Sequence, residues 1–267
     1  MIIDFHTHIF PDSIAEKTIG KLGALINQEP YTNATLQGIK ESMKTSNIDL
    51  AVLLPVVTRP AQFQSVNAFA KAVTGQDGLI SFGGIHPKTE NYQQEIDEIV
   101  QLGLKGIKLH PDFQDTFIDE PCYINLIGYA LEKDLIVSVH GGVDAGLPDP
   151  VHCPPEKTLK MIREVQKRTS TDKLVIAHTG GHLMWDDVEQ YLVGEKIYMD
   201  ISYSRKEIPR EQMIRIIRNH GVDKMLFGSD SPWDGQGETI GYVRKLPFSE
   251  EEKAKILGGN AEKLLDL

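Results

Sequence analysis

Two histidines near the amino terminus, His6 and His8, have a spacing that could support metal chemistry. They stand two positions apart in the apolar segment IIDFHTHIF, which has the composition of a β-strand. Because the side chains of a strand alternate between its two faces, both imidazoles would point the same way and could bind one ion. Since chance and core packing also produce such pairs, a metal site needs further ligands from elsewhere in the chain.

Three more histidines and one aspartate stand at the ends of later apolar segments, and each of these segments also has the composition of a β-strand. In a closed parallel barrel all strands end at one rim, so these side chains would gather there. Lys108 and His110 end a similar segment, GIKLH, and strand alternation predicts that they share a face. The pattern indicates a divalent-metal site at this rim, and the residues in question are His86, His140, His178 and Asp230.

Short apolar runs alternate with longer stretches of helical periodicity along the whole chain, and together these elements would position the site. Eight such runs predict a (β/α)8 TIM barrel of the α/β class with parallel strands. The predicted strands are residues 2–8, 50–57, 79–86, 105–110, 135–140, 173–178, 196–202 and 224–230. The predicted helices are residues 14–26, 36–46, 62–74, 92–102, 123–133, 155–169, 186–192, 207–220, 250–257 and 261–267, and 141–154 and 229–237 are predicted loops.

Length and composition favour an ordinary globular enzyme. A chain of 267 residues with 40% hydrophobic and 25% charged residues suits one barrel domain spanning residues 1–267. Lys and Arg number 28 against 38 Asp and Glu, and this net charge of −10 argues against a nucleic-acid partner. No apolar run is long enough to span a membrane, and the first residues lack the pattern of a signal peptide. We therefore expect a cytoplasmic protein that acts on a small molecule.

The chain resembles the amidohydrolase superfamily of metal-dependent barrel enzymes. The motifs that carry the resemblance span the chain and are DFHTHIF, GIHP, GIKLHP, SVHGG, IAHTGG, FGSDSPW and ILGGNAEKLLDL. The sequence looks most like the branch that contains aminocarboxymuconate-semialdehyde decarboxylase and related decarboxylases, hydratases and lactone hydrolases. These motifs are specific for the superfamily and the fold, but they do not select one reaction.

The resemblance implies that four side chains ligate the metal: His6, His8, His140 and Asp230. Asp230 would also act in catalysis together with His178, which lies near the ion in one-metal members and ligates it in two-metal members. One ion is favoured over two. Imidazole and carboxylate ligands suit zinc, and also manganese, cobalt or iron. Membership would further suggest a homodimer.

Three more residues are predicted to contact the substrate: Lys108, His86 and His110. Lys108 would bind a substrate carboxylate as a point charge. The alternative that the resemblance raises for Lys108 is carboxylation of its amine, which would let it bridge two ions.

These ligands predict a hydrolase that uses a metal-activated water on a small carboxylated amide, ester or lactone. The alternative is a non-oxidative decarboxylase or hydratase of a small unsaturated or aromatic acid. A further alternative is an inactive barrel that only binds a ligand, although none of the implied ligands is missing. A phosphoesterase of the other His-x-His barrel class is a further alternative, and so is a TatD-like nuclease. Such a nuclease typically presents a fourth-strand glutamate, where this chain has GIKLHP.

Overall fold

The computed structural model describes residues 1–267 and confirms a parallel α/β architecture. All paired strands are parallel, and each lies within one of the eight segments predicted from the sequence. The strands are β1 (Ile3–Thr7), β2 (Leu50–Leu53), β3 (Leu79–Ser81), β4 (Gly83–Gly84), β5 (Gly106–Leu109), β6 (Ile136–Val139), β7 (Leu174–Ile176), β8 (Tyr198–Asp200) and β9 (Met225–Leu226).

Hydrogen bonds join these strands into a closed TIM barrel. β1, β2 and β3 are consecutive neighbours, as are β4 to β9. Phe82 separates β3 from β4, so the third predicted strand is interrupted, but the Phe82 amide donates to Leu53 O at 2.9 Å. At the other junction the Phe5 amide donates to Phe227 O and the Asp230 amide donates to His6 O, both at 2.8 Å. The first strand therefore pairs with the last.

Helices follow the strands and pack an apolar face against the barrel; in α4, for example, Ile96 and Ile99 are buried. The helices are α1 (Asp12–Ile26), α2 (Leu36–Ser46), α3 (Phe63–Val73), α4 (Tyr92–Gln101), α5 (Pro121–Glu132), α6 (Pro155–Gln166), α7 (Trp185–Tyr191), α8 (Arg210–His220), α9 (Gln236–Arg244), α10 (Glu250–Ala254) and α11 (Asn260–Leu264). α9 was not predicted, and residues 255–259 form a π-helical turn rather than ending an α-helix. None of these helices has the length and apolar character needed to cross a bilayer.

Apolar side chains fill the barrel interior below its carboxyl-terminal mouth. One cluster of 12 buried residues takes members from strands around the ring, including Ile3, Phe5, Ile136, Val175 and Leu226. A larger cluster of 50 buried residues lies between the strands and the helices. The polar residues that end the strands are thus held above a rigid, dry core, as in other barrels of this kind.

Two local irregularities turn a predicted ligand, His6, and the predicted catalytic residue His178 toward the mouth. Ile3 and Phe5 belong to the interior cluster, so strict alternation would point His6 away from it. The register of β1 against β2 shifts between Asp4 and Thr7, and this bulge lets His6 face inward. Val175 also belongs to the interior cluster, and a φ angle of 59° at His178 breaks the alternation beyond β7.

Candidate metal centre and active site

His6, His8 and Asp230 converge at the mouth of the barrel. The Nε2 atoms of His6 and His8 are 3.2 Å apart. Asp230 Oδ1 lies 3.3 Å from Nε2 of His6 and 3.1 Å from Nε2 of His8. The three side chains therefore offer three ligand atoms around one point.

The hydrogen bonds behind these two histidines fit a bound cation. Nδ1–H of His6 donates to Asp200 Oδ2 at 2.9 Å, and Nδ1–H of His8 donates to Leu54 O at 2.8 Å. In a neutral imidazole the other ring nitrogen, Nε2, then carries a lone pair. Two lone pairs and a carboxylate oxygen that face one another need a positive charge between them, so the donor set suits a divalent metal ion.

Asp230 supplies the negative charge of this group. Burial alone would raise the pKa of Asp230, but positive charge on the rings of His6 and His8 outweighs this effect and holds that pKa below its usual range. A cation bound between the neutral rings would act in the same direction. Asp230 is therefore a carboxylate and can act as a ligand or as a proton acceptor. Its φ angle of 69° is uncommon for a residue other than glycine, and such conformations are found at functional sites.

His140 and His178 form a neighbouring pair at the mouth. Nδ1 of His140 lies 2.9 Å from Nε2 of His178, and the ring centres of His178 and His6 are 5.1 Å apart. Burial lowers the pKa of His178 to about 3 and that of His140 well below its usual value, so both rings are neutral. His140 is outside the close group of His6, His8 and Asp230, and its role as a ligand stays a prediction.

Lys108 lies beside the same group, with its side chain only 1% exposed. Its Nζ is 3.3 Å from Nε2 of His6. Burial lowers the pKa of Lys108 to about 8, although Asp200 and Asp230 favour the charged form. A buried amine of this kind can contact a substrate carboxylate or react with carbon dioxide, and both predicted roles stay open.

The other two predicted substrate contacts differ in their surroundings. The ring of His110 stacks on that of His140 with centres 4.1 Å apart, so His110 is part of the cluster at the mouth. His86 is buried, and its Nδ1 accepts a hydrogen bond from the Lys88 amide at 3.1 Å. No hydrogen bond or ring contact joins His86 to the other candidates, so its role in the site is a prediction.

Asp200, at the end of β8, organises the site but was not predicted from the sequence. Besides His6, it accepts hydrogen bonds at Oδ1 from the His178 amide, at 3.2 Å, and from the amide and hydroxyl of Ser202. It is fully buried. The signal was present, because Asp200 ends a strand like the other candidates, but the predicted strand continued to residue 202.

Aromatic and polar side chains lie near the metal group, the name used below for His6, His8 and Asp230. The rings of His182 and Tyr203 lie 5.3 Å apart, and the Tyr203 hydroxyl donates to Gln28 Oε1 at 2.6 Å. Gln28 Nε2 in turn donates to the carbonyl oxygen of Trp233. The segment after α1 is therefore linked to the loops that follow β8 and β9, and these groups form part of the wall of the mouth.

Comparison with known proteins gives a family model and a set of similar folds. The family model described as Amidohydrolase matches residues 3–267. No curated protein matches the chain. An uncharacterised TIM-barrel protein from Bordetella bronchiseptica has a TM-score of 0.78 and 21% identity, with 99% of this chain and 98% of that chain covered.

Two similar structures carry the names of decarboxylases. The 5-carboxyvanillate decarboxylase LigW from Sphingomonas paucimobilis has a TM-score of 0.72 and 14% identity, over 100% of this chain and 99% of that one. A dihydroxybenzoic acid decarboxylase from Polaromonas sp. JS666 was solved with manganese and the inhibitor 2-nitroresorcinol. It has a TM-score of 0.71 and 16% identity, with 100% of this chain and 97% of that chain covered. At these identities the likeness shows the fold alone.

Proposed function

The chain belongs to the amidohydrolase family, and we propose that it catalyses the metal-dependent, non-oxidative decarboxylation of a small aromatic or unsaturated carboxylic acid. The observation that carries this proposal is the burial of the whole cluster: Lys108 is 1% exposed, His178 4% and Asp230 8%. A carboxylate loses its hydration shell in such a site, whereas the carbon dioxide that leaves is neutral, so burial favours release. The decarboxylases among the similar structures add support.

The metal would be held by His6, His8 and Asp230, with His140 as the further ligand that the family implies. When a divalent cation is bound, it supplies positive charge that fixes the oxygen atoms of the substrate and stabilises negative charge on them. Manganese and zinc both suit this ligand set.

Asp230 is proposed to move the proton that the reaction consumes. As a carboxylate it takes a proton from solvent and delivers it to the carbon that bears the carboxyl group. The bond to the carboxyl carbon then breaks, its electron pair restores the unsaturated system, and carbon dioxide leaves. One proton replaces one carboxyl group, so no oxidant or reductant is needed.

His178 and Lys108 would orient the substrate during this step. His178 donates from Nδ1 to Ser202 O at 3.2 Å, so its neutral ring has a lone pair at Nε2. That lone pair faces Nδ1 of His140 at 2.9 Å and would accept from a substrate hydroxyl when His140 ligates the metal. Lys108 would bind a carboxylate or another anionic oxygen of the substrate.

Hydrolysis of a small carboxylated amide, ester or lactone is the second candidate. The carboxylate of Asp230 favours it, because a carboxylate beside a metal can accept the proton of an attacking water. The two reactions differ in their products, since only decarboxylation releases carbon dioxide and places a solvent proton on carbon.

The test is to incubate manganese- or zinc-loaded protein in deuterium oxide with hydroxybenzoates, unsaturated acids and lactones. We expect carbon dioxide release and one deuterium atom at the former carboxyl position, and Asp230→Asn should slow both about 100- to 10,000-fold. Asp119→Asn is a matched control, because that carboxylate pairs with Lys157 outside the metal group. Acid production from a lactone, ester or amide without carbon dioxide release would overturn the proposal in favour of hydrolysis.

A further inference from the structure

Asp112 lies just beyond β5 and is nearly buried, with 5% of its surface exposed. Its Oδ1 accepts hydrogen bonds from the His152 amide at 2.9 Å and from His152 Nδ1 at 3.1 Å. Its Oδ2 has no hydrogen-bond partner and lies 3.8 Å from Nε2 of His140, which also has none. Two buried polar atoms without partners thus face each other across a short gap.

The ring of His140 has two nitrogens with different neighbours. Nδ1 lies 2.9 Å from Nε2 of His178, whose own proton is on its Nδ1, so Nδ1–H of His140 is the donor in this hydrogen bond and a cation bound at Nδ1 would displace its proton. For His140 to ligate a cation through Nδ1, its proton must reside on Nε2. The carboxylate oxygen nearest to Nε2 is the free Oδ2 of Asp112, at 3.8 Å.

We propose that Asp112 is a positioning residue: it accepts the proton of His140 at Nε2 when a cation binds, and thereby frees Nδ1 to ligate the metal. This inference rests on the proposed function, because it assigns His140 as a ligand. A carboxylate on the second ring nitrogen of a metal-binding histidine fixes the ring and makes the ligand more basic. Since Asp112 also holds His152, it links the ligand to the loop of residues 141–154.

An alternative is a cation held by His110, His140 and Asp144, whose ligand atoms also lie close together. Such a cation explains the hydrogen bonds of His110 less well. Nδ1 of His110 accepts from the Phe113 amide at 3.4 Å, so its proton resides on Nε2. That Nε2 lies 3.4 Å from Asp144 Oδ2, which places a donor against an acceptor. His110 and Asp144 are therefore a hydrogen-bonded pair and not two ligands.

The test is the isosteric variant Asp112→Asn. The asparagine oxygen would still accept from His152, so its NH2 group would face Nε2 of His140 and favour a lone pair there. We expect the dissociation constant for Zn²⁺, measured by competition with a chelator, to rise about 10- to 100-fold. In zinc-loaded protein with ¹⁵N-labelled histidine, we expect the directly bonded proton on Nε2 of His140 to disappear in the variant.

Two control variants separate positioning from a structural effect. His152→Gln loses the side-chain donor to Asp112 but keeps Asp112 beside His140, so its zinc affinity should stay close to that of the wild type. Asp119→Asn should also bind normally, and urea unfolding of the metal-free variants would show that they fold.

Three results would contradict the inference. They are equal zinc affinity in Asp112→Asn and wild type, an equal loss in His152→Gln and Asp112→Asn, and two zinc equivalents in the wild type of which Asp112→Asn loses one. A wild-type protein that binds no divalent metal would instead overturn the proposed function.

Discussion

At the scale of single residues, the site depends on which ring nitrogen of each histidine carries the proton. Asp200 and the Leu54 carbonyl oxygen hold the protons of His6 and His8 on Nδ1, so both Nε2 atoms are available as ligands. Ser202 does the same for His178. These acceptors come from distant parts of the chain and act on the metal through the ligands they orient.

The first prediction at this scale concerns Asp230→Asn, which keeps the shape of the side chain but removes its charge. We expect kcat/KM to fall about 100- to 10,000-fold, the usual contribution of a general acid or base, and metal affinity to fall as well. Steady-state kinetics at saturating metal would separate the two effects. Recovery of the full rate when metal is added in excess would show that Asp230 is a ligand only.

The second prediction concerns Lys108→Met. If Lys108 binds the substrate carboxylate, KM should rise about 10- to 100-fold, since a charge-assisted hydrogen bond contributes roughly 1.5–3 kcal/mol. Metal content should stay at one equivalent per chain. Lys88→Met is the control, because Lys88 Nζ donates only to the Asp115 carbonyl oxygen. Loss of bound metal in Lys108→Met, with activity of the wild type dependent on bicarbonate, would favour the carboxylated form.

At the scale of the elements, close approach between strands sets the geometry of the ligands. Gly228, beyond β9, is so near β1 that a Cβ atom at this position would lie 2.8 Å from Cβ of His6. His6 and the segment that carries Gly228 and Asp230 are thus packed so closely that no methyl group fits between them. The bulge in β1 and the left-handed backbone of His178 complete the arrangement.

This packing predicts the effect of Gly228→Ala. The added methyl group should push His6 and β1 apart, destabilise the protein by about 1–3 kcal/mol and weaken metal binding. Urea unfolding and chelator competition would measure both quantities. Gly241→Ala in α9 is the control, because a Cβ atom there meets nothing within 4 Å. Metal affinity equal to that of the wild type in Gly228→Ala would contradict this account of the site.

His220, the last residue of α8, gives a pH-dependent prediction. Its Nδ1 accepts from the Gly194 amide at 3.2 Å, and its Nε2–H donates to Ile197 O at 3.0 Å, so the ring is neutral. Burial lowers the pKa of His220 below that of the unfolded chain, about 6.5. Its contribution to stability is therefore present above pH 6.5 and is lost as the pH falls through the lowered pKa, since the unfolded state takes up the proton first.

The variant His220→Gln tests this prediction in metal-free protein, where ligand protonation does not affect metal binding. It should be about 1–3 kcal/mol less stable at pH 7.5, because a buried hydrogen-bonding group is replaced. Its stability should also fall less than that of the wild type between pH 7.5 and pH 5. Urea unfolding at several pH values measures both, and parallel pH profiles would refute the assignment.

At the scale of the whole molecule, the proposed metal joins the first strand of the barrel to the last, because His6 and His8 lie in or next to β1 and Asp230 follows β9. Bound metal should therefore stabilise the barrel, by about 2.7 kcal/mol when its free concentration is 100 times its dissociation constant. Urea unfolding with metal and with chelator measures this difference, and His140→Ala should reduce it. Identical unfolding curves for the wild type would exclude a metal that binds the native state.

The sequence by itself determined the eight strands, the parallel barrel and the convergence of His6, His8 and Asp230, because strand composition and the rim of a closed barrel are repeated patterns. Only the tertiary structure decided which nitrogen of each histidine is free, since the acceptors, Asp200 and the Leu54 carbonyl oxygen, lie far from the ligands in the chain. It also decided the bulge, the interrupted third strand and α9, because these depend on packing between neighbouring elements and not on local propensity.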